Sequence, residues 1–154
     1  MSKKLLVITI LLFVLIILFS FGNNSPKEVV LTETEDVLTH DTLEFRDSVF
    51  NYIQELNIKH PEIVFKQAQI ESGNFSSKVF RENNNMFGMR VPFRRANTVI
   101  GENRGYAVYE SWRYSVIDYA LYQMYSAKNL SEEEYIKFLA KNYAEDPHYA
   151  TKLK

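Results

Sequence analysis

The chain has 154 residues, a formal net charge of −1, 46% hydrophobic residues and no cysteine. That length holds one domain once the N-terminus is set aside, and the hydrophobic content is enough for a packed core and argues against disorder. The charge balance gives no electrostatic case for nucleic acid, and the missing cysteines exclude disulfides, thiolate catalysis and lipoprotein anchoring.

Leu5 to Phe19 is apolar except for Thr9, and Lys3 and Lys4 precede it. The run falls between a signal-peptide core (~7–15 residues) and a full membrane span (~20). Ser20-Phe21-Gly22 offers small residues for cleavage, but aliphatic character continues almost to Gly22. Residues 1–22 are therefore read as a single-pass membrane anchor in preference to a cleaved signal. The lysines keep the N-terminus cytoplasmic, so the rest is exported, or secreted if cleavage occurs. Residues 23–40 turn polar and acidic and read as a linker.

From residue 41 onward the pattern is mainly helical. Asp41 and Glu44 form a capping box for a helix carrying Phe45, Val49, Tyr52, Ile53 and Leu56, with Asn57 as its stop. Pro61 fits the first turn of a second helix ending at Glu71, with Gly73 as a left-handed terminator. Thr98-Val99-Ile100 and Tyr106 to Tyr109 flank Gly101 to Gly105, which predicts a hairpin with a long turn. Ser111 opens a third helix with Trp112, Val116, Tyr119 and Gln123 on one face and Ile117, Ala120, Leu121 and Met124 beside them. Ser131 and Glu134 make another capping box, with Tyr135, Phe138, Leu139 and Asn142 turned inward. Asp146-Pro147 starts a last short helix.

Glu71 is the first candidate for chemistry. Helical spacing stacks it beside Val64 and Ala68, with Gln67 one turn away to hydrogen-bond its carboxyl. Apolar neighbours and the negative helix end both raise a carboxyl pKa, which is what a general acid at a glycosidic oxygen requires. Twelve residues on comes Asn83-Asn84-Asn85-Met86-Phe87-Gly88-Met89. Asn amides suit the acetamido and hydroxyl groups of an amino sugar, and Phe87 can stack on a pyranose. His40, His60 and His148 have no metal-ligand spacing, so neither a metal nor an organic cofactor is implied. Asp118 reads as solvent-facing and Asp146 as a helix cap. Arg90, Arg94, Arg95 and Arg104 form a local basic cluster suited to stem-peptide carboxylates or an anionic wall polymer, or simply to a solvated loop.

Four ordered motifs now bring a family into view: Glu71-Ser72-Gly73; Asn84 to Met89; Tyr106 to Tyr109 with Ser115 to Ala120; and Tyr143-Ala144-Glu145-Asp146-Pro147-His148-Tyr149. Together they resemble the glucosaminidase family of peptidoglycan hydrolases, of the glycoside hydrolase family 73 kind, over roughly Asp41 to Lys154. The resemblance implies a lysozyme-like domain over residues 41–154, mainly α with a small β-hairpin lobe. It implies an endo-β-N-acetylglucosaminidase acting on peptidoglycan glycan strands, with Glu71 as catalytic acid. Asn85, Phe87, Tyr109 and Tyr143 become substrate-binding candidates. Its second carboxylate lies some thirty residues beyond the acid, which points to Glu102, although the substrate's own acetamido group can replace such a carboxylate. A muramidase, a lytic transglycosylase and an inactive wall-binding scaffold are the alternatives.

Overall fold

The computed structural model describes residues 42–143 and 146–154. The apolar segment, the polar linker and Asp41 with its expected capping box lie outside the described residues. Among those described, no helix is long and apolar enough to cross a membrane.

The domain is mainly helical with one two-stranded sheet. Helix α1 covers residues 42–55 and ends through a left-handed Asn57 (φ 53°), as its sequence predicts. Helix α2 runs Pro61–Glu71, its proline in the first turn where a missing N–H costs nothing. Its buried face is Ile63, Val64, Gln67 and Ala68. The chain then turns through three consecutive left-handed residues, Gly73, Asn74 and Phe75. Ser72 Oγ holds this turn by donating to Ala68 O (2.6 Å) and accepting from Phe75 N (2.8 Å). A six-residue helix, α3 (Lys78–Asn83), follows, capped by Ser77. It is too short for hydrophobic periodicity to reveal.

Strands β1 (Gly101–Asn103) and β2 (Tyr106–Val108) pair antiparallel, with Glu102 opposite Ala107. The expected long turn is corrected. Only Arg104 and Gly105 connect the strands, and both have positive φ (58° and 80°), which is the two-residue turn whose twist suits a hairpin. Thr98 and Val99 are therefore not strand residues, although Ile100 N still donates to Val108 O. Glu102 moves from turn to strand.

Helix α4 (Trp112–Ser126) buries Val116, Tyr119 and Gln123 as expected. Its second stripe is different: Met124 is 68% exposed, while Ser115 and Asp118 are buried. Helix α5 (Glu132–Asn142) starts with the predicted Ser131–Glu134 capping box. Tyr135 and Leu139 point inward, whereas Asn142 is exposed. The last helix, α6 (Tyr149–Leu153), starts two residues later than Asp146-Pro147 suggested, because Asp146 O accepts from Tyr149 N in a turn. α6 packs against α5 and α2, and α3 against β2. The core joins Ile53, Val64, Ala68, Phe87, Val116, Tyr119, Tyr135 and Leu139.

Candidate active site

Glu71 closes α2, and three later segments converge on it. From α6, the buried Tyr149 donates its phenol proton to Glu71 Oε1 at 2.6 Å. From the turn after α3, the Gly88 backbone passes so near that an added Cβ would lie 3.8 Å from Glu71 Oε2. Gly88 also has φ +63°, so a side chain there would strain the backbone, with its Cβ in ordinary contact with that oxygen. From the end of α5, Tyr143 reaches Phe87 O (2.5 Å) and Met89 Sδ (3.1 Å), fixing the loop that carries Gly88.

Burial pushes the Glu71 carboxyl above the usual glutamate range, and the Tyr149 hydrogen bond pulls it partly back. Tyr149 is driven far above an ordinary phenol by burial and by the bond and charge of Glu71. Tyr143 moves the same way, from burial first and the Glu71 charge second. Both tyrosines therefore stay protonated donors through any working pH. The result is a partly buried, readily neutralised carboxyl with one oxygen tethered and the other beside a glycine. That suits proton donation to a substrate oxygen.

Beneath it lies a polar floor. Tyr119 donates to Gln67 Oε1 (2.5 Å) and its oxygen also meets the Tyr135 hydroxyl (2.5 Å). Gln67 is thus committed to Tyr119 and does not bond the Glu71 carboxyl as expected. Its Nε2 is buried without a hydrogen-bond partner, close enough to Tyr149 to influence that phenol.

Several expected binding residues sit elsewhere. Asn85 is 1% exposed; its Nδ2 donates to Met89 O (2.8 Å) and Ala107 O (2.9 Å), and its Oδ1 accepts from Met89 N (3.0 Å). Both amide protons are spent and the side chain is buried, so it does not face an acetamido group. Asn83 and Asn84 likewise tie the loop to Asn103, Tyr109 and Glu110. The Asn run is a set of staples between the turn and the hairpin. Phe87 is fully buried, stacked on Tyr119 at 4.1 Å between ring centroids, so its ring does not face a sugar. Tyr109 is also buried and donates to Asp118 Oδ2 (2.8 Å). These three side chains build the site's support. Glu102 projects into solvent from β1, and among the described residues no hydrogen bond or ion pair joins it to Glu71. Tyr143 alone of the four binding candidates stands beside the acid.

Tyr149 was visible only as a letter in the last motif; its role depends on α6 folding back 78 residues onto α2. Tyr149→Phe should remove the bond that favours the Glu71 anion and raise the carboxyl pKa further. The alkaline limb of the pH–activity profile is expected to move to higher pH, with the melting temperature little changed. A limb that stays put or moves down would show that the phenol does not govern Glu71.

The domain is small and mainly helical, with a partly buried carboxyl at a helix end held among Tyr149, Gly88 and Tyr143. The chain belongs to the glucosaminidase family: the model described as mannosyl-glycoprotein endo-beta-N-acetylglucosaminidase matches residues 47–154. No curated protein matches the chain. Among solved structures it is similar to one of a type VI secretion system effector–immunity complex from Pseudomonas protegens, at 19% identity over 73% of this chain and 88% of that one, with TM-score 0.58. It is similar to the catalytic domain of the autolysin Auto from Listeria monocytogenes, at 19% identity over 84% and 93%, with TM-score 0.54. It is also similar to an N-acetylmuramoyl-L-alanine amidase from Staphylococcus aureus, at 25% identity over 73% of this chain and 40% of that one, with TM-score 0.57.

Proposed function

We propose that this protein is a peptidoglycan hydrolase that cleaves the β-1,4 glycan strand as an endo-β-N-acetylglucosaminidase. The observation that carries this reading is Glu71, its carboxyl pKa raised by burial, tethered at Oε1 by Tyr149 and with Oε2 beside Gly88. The family supplies the glycosidase chemistry. An autolysin and a muramoyl-alanine amidase among similar structures support the cell-wall substrate.

In the proposed reaction Glu71 gives its proton to the glycosidic oxygen as the C1–O bond breaks, so the leaving sugar departs as a neutral alcohol. Positive charge develops at C1 and the ring oxygen. Glu102, exposed on β1, is the proposed second carboxylate, with the role of stabilising that charge or orienting water. Glu71, now a carboxylate, then recovers a proton from the attacking water. Asn85, Phe87 and Tyr109 hold the loop and hairpin in register around this event, while Tyr143 borders the acid.

Incubating the chain with purified sacculi and analysing the products by mass spectrometry should reveal reducing N-acetylglucosamine ends. Reducing N-acetylmuramic acid would instead indicate a muramidase, anhydro-muramyl ends a transglycosylase, and bound but intact glycan an inactive scaffold. Glu102→Gln should lower turnover by roughly 10²-fold while leaving the melting temperature unchanged, because its exposed side chain supports nothing in the fold. A variant with most of its activity would return the second role to the substrate's acetamido group.

We also propose that residues 1–22 export the domain and anchor it in the membrane. A reporter fused after Lys154 should then be active only outside the cytoplasm; cytoplasmic activity would refute export.

A further inference from the structure

The basic cluster of the sequence is divided by the fold. Arg95 pairs with Asp118 at 2.6 Å, and Arg104 lies 3.4 Å from Glu82. Arg90 and Arg94 are left exposed, and among the described residues neither has a hydrogen bond or an ion pair. Between them Phe93 is 98% exposed, and across from it Tyr125 on α4 is 63% exposed. A fully solvated phenylalanine contributes nothing to the core, so its packing does not explain its place. These four residues, with Met89 and Tyr122, line one groove of about 410 Å³.

The groove adjoins Tyr143. Met89 Sδ, at its inner end, contacts the Tyr143 hydroxyl, and the Tyr122 ring lies 5.8 Å from that of Tyr143. Tyr143 in turn feels the Glu71 charge. The groove is thus linked to the acid's neighbour Tyr143, and it presents two exposed guanidinium groups and two exposed aromatic rings. Neutral sugar hydroxyls can accept from the guanidiniums but leave their charge uncompensated. Carboxylates match their fork geometry, and aliphatic side chains match the rings.

We propose that this groove is a subsite for the acidic stem peptide borne by the glycan near the scissile bond. Arg90 and Arg94 receive its carboxylates, and Phe93 and Tyr125 pack on its apolar part. The enzyme would thus read peptide-substituted glycan in preference to bare glycan. The subsite rests on the peptidoglycan reading above, and the test separates the two.

Binding is measured by calorimetry on the full chain carrying Glu71→Gln, so that turnover does not consume the ligand. The probes are defined soluble glycan oligosaccharides with their peptides and the same oligosaccharides after enzymatic peptide removal. Peptide-bearing glycan should bind about tenfold more tightly, as expected for one or two charge-assisted contacts. Adding Arg90→Gln and Arg94→Gln should abolish that difference without changing the melting temperature, and Phe93→Ala should reduce it. Equal affinity of the parent for both glycans would overturn the subsite while leaving the hydrolase reading intact. So would an arginine variant that weakens both glycans equally. Binding of neither glycan, with no reducing ends released by the wild type, would remove both readings. Tight binding only to a phosphate-rich wall polymer would reassign the arginines to that anion and also overturn the proposal.

Discussion

Glu71→Gln should lower sacculus cleavage by at least ~10²–10⁴-fold, the range that general acid catalysis typically contributes. The amide keeps the volume of the side chain, and its carbonyl oxygen can still accept from Tyr149. It cannot transfer a proton to the leaving oxygen. Glycan binding should survive, so the loss should fall mainly on turnover. Near wild-type digestion by the variant would show that Glu71 is not the acid.

The same substitution should make the fold more stable at neutral pH. Burial raises the carboxyl pKa in the folded chain, so the folded state binds more protons than the unfolded state between the two values. Stability therefore falls as pH rises through that window, and above it the charged carboxyl opposes folding. Glutamine carries no such charge. The melting-temperature advantage of the variant should grow as pH rises through the window from the ordinary glutamate pKa upward. It should be smallest in acid, where both side chains are neutral. An advantage that does not vary with pH would mean that Glu71 titrates normally and is a poor acid catalyst. Wild-type activity should fall on the alkaline side as the same group ionises in the folded chain, with its midpoint at the upper end of that window.

The sequence disclosed this site unevenly, for reasons of range. Pro61, Gly73 and the Ser131–Glu134 box act within a few residues, and each does in the fold what local chemistry predicts. The position of Glu71 followed from helical spacing alone. What escaped depends on partners far along the chain. Asn85 and Phe87 have the right chemistry for a sugar, but their neighbours Ala107 and Tyr119 occupy them first. No local rule distinguishes an amide that meets a ligand from one that meets a distant carbonyl. Likewise α3 follows from the Ser77 cap and from contact with β2, not from its own six residues. The hairpin register was set by two residues that accept positive φ, one of them an arginine, which is an uncommon choice.

Asp118 is the sharpest of these cases, and its substitution should produce the largest loss of stability. Read as solvent-facing, it is instead fully buried and bidentate with Arg95, at 2.6 Å from Nη1 to Oδ1 and 3.0 Å from Nη2 to Oδ2. Tyr109 donates to the same Oδ2, and Arg95 also donates to Ala96 O and to the Asp118 carbonyl. One carboxylate thus fixes the loop after Met89, the end of the hairpin and α4 together. Asp118→Asn keeps the shape but leaves a guanidinium, whose side chain is 7% exposed, without its counter-charge. Removing one partner of a buried pair typically costs about 3–5 kcal/mol, far more than the pair itself contributes relative to an apolar replacement. Urea unfolding should therefore show a loss of about 3 kcal/mol for Asp118→Asn, with the slope unchanged. Arg95→Met combined with Asp118→Leu should cost clearly less than the sum of the two single substitutions, because no charge then remains buried. A single variant within about 0.5 kcal/mol of wild type would mean that the ion pair does not hold the loop. The active site should register the same damage. Met89 and Gly88 lie just before the segment that Arg95 anchors, so loosening it releases the backbone that stands beside Glu71 Oε2.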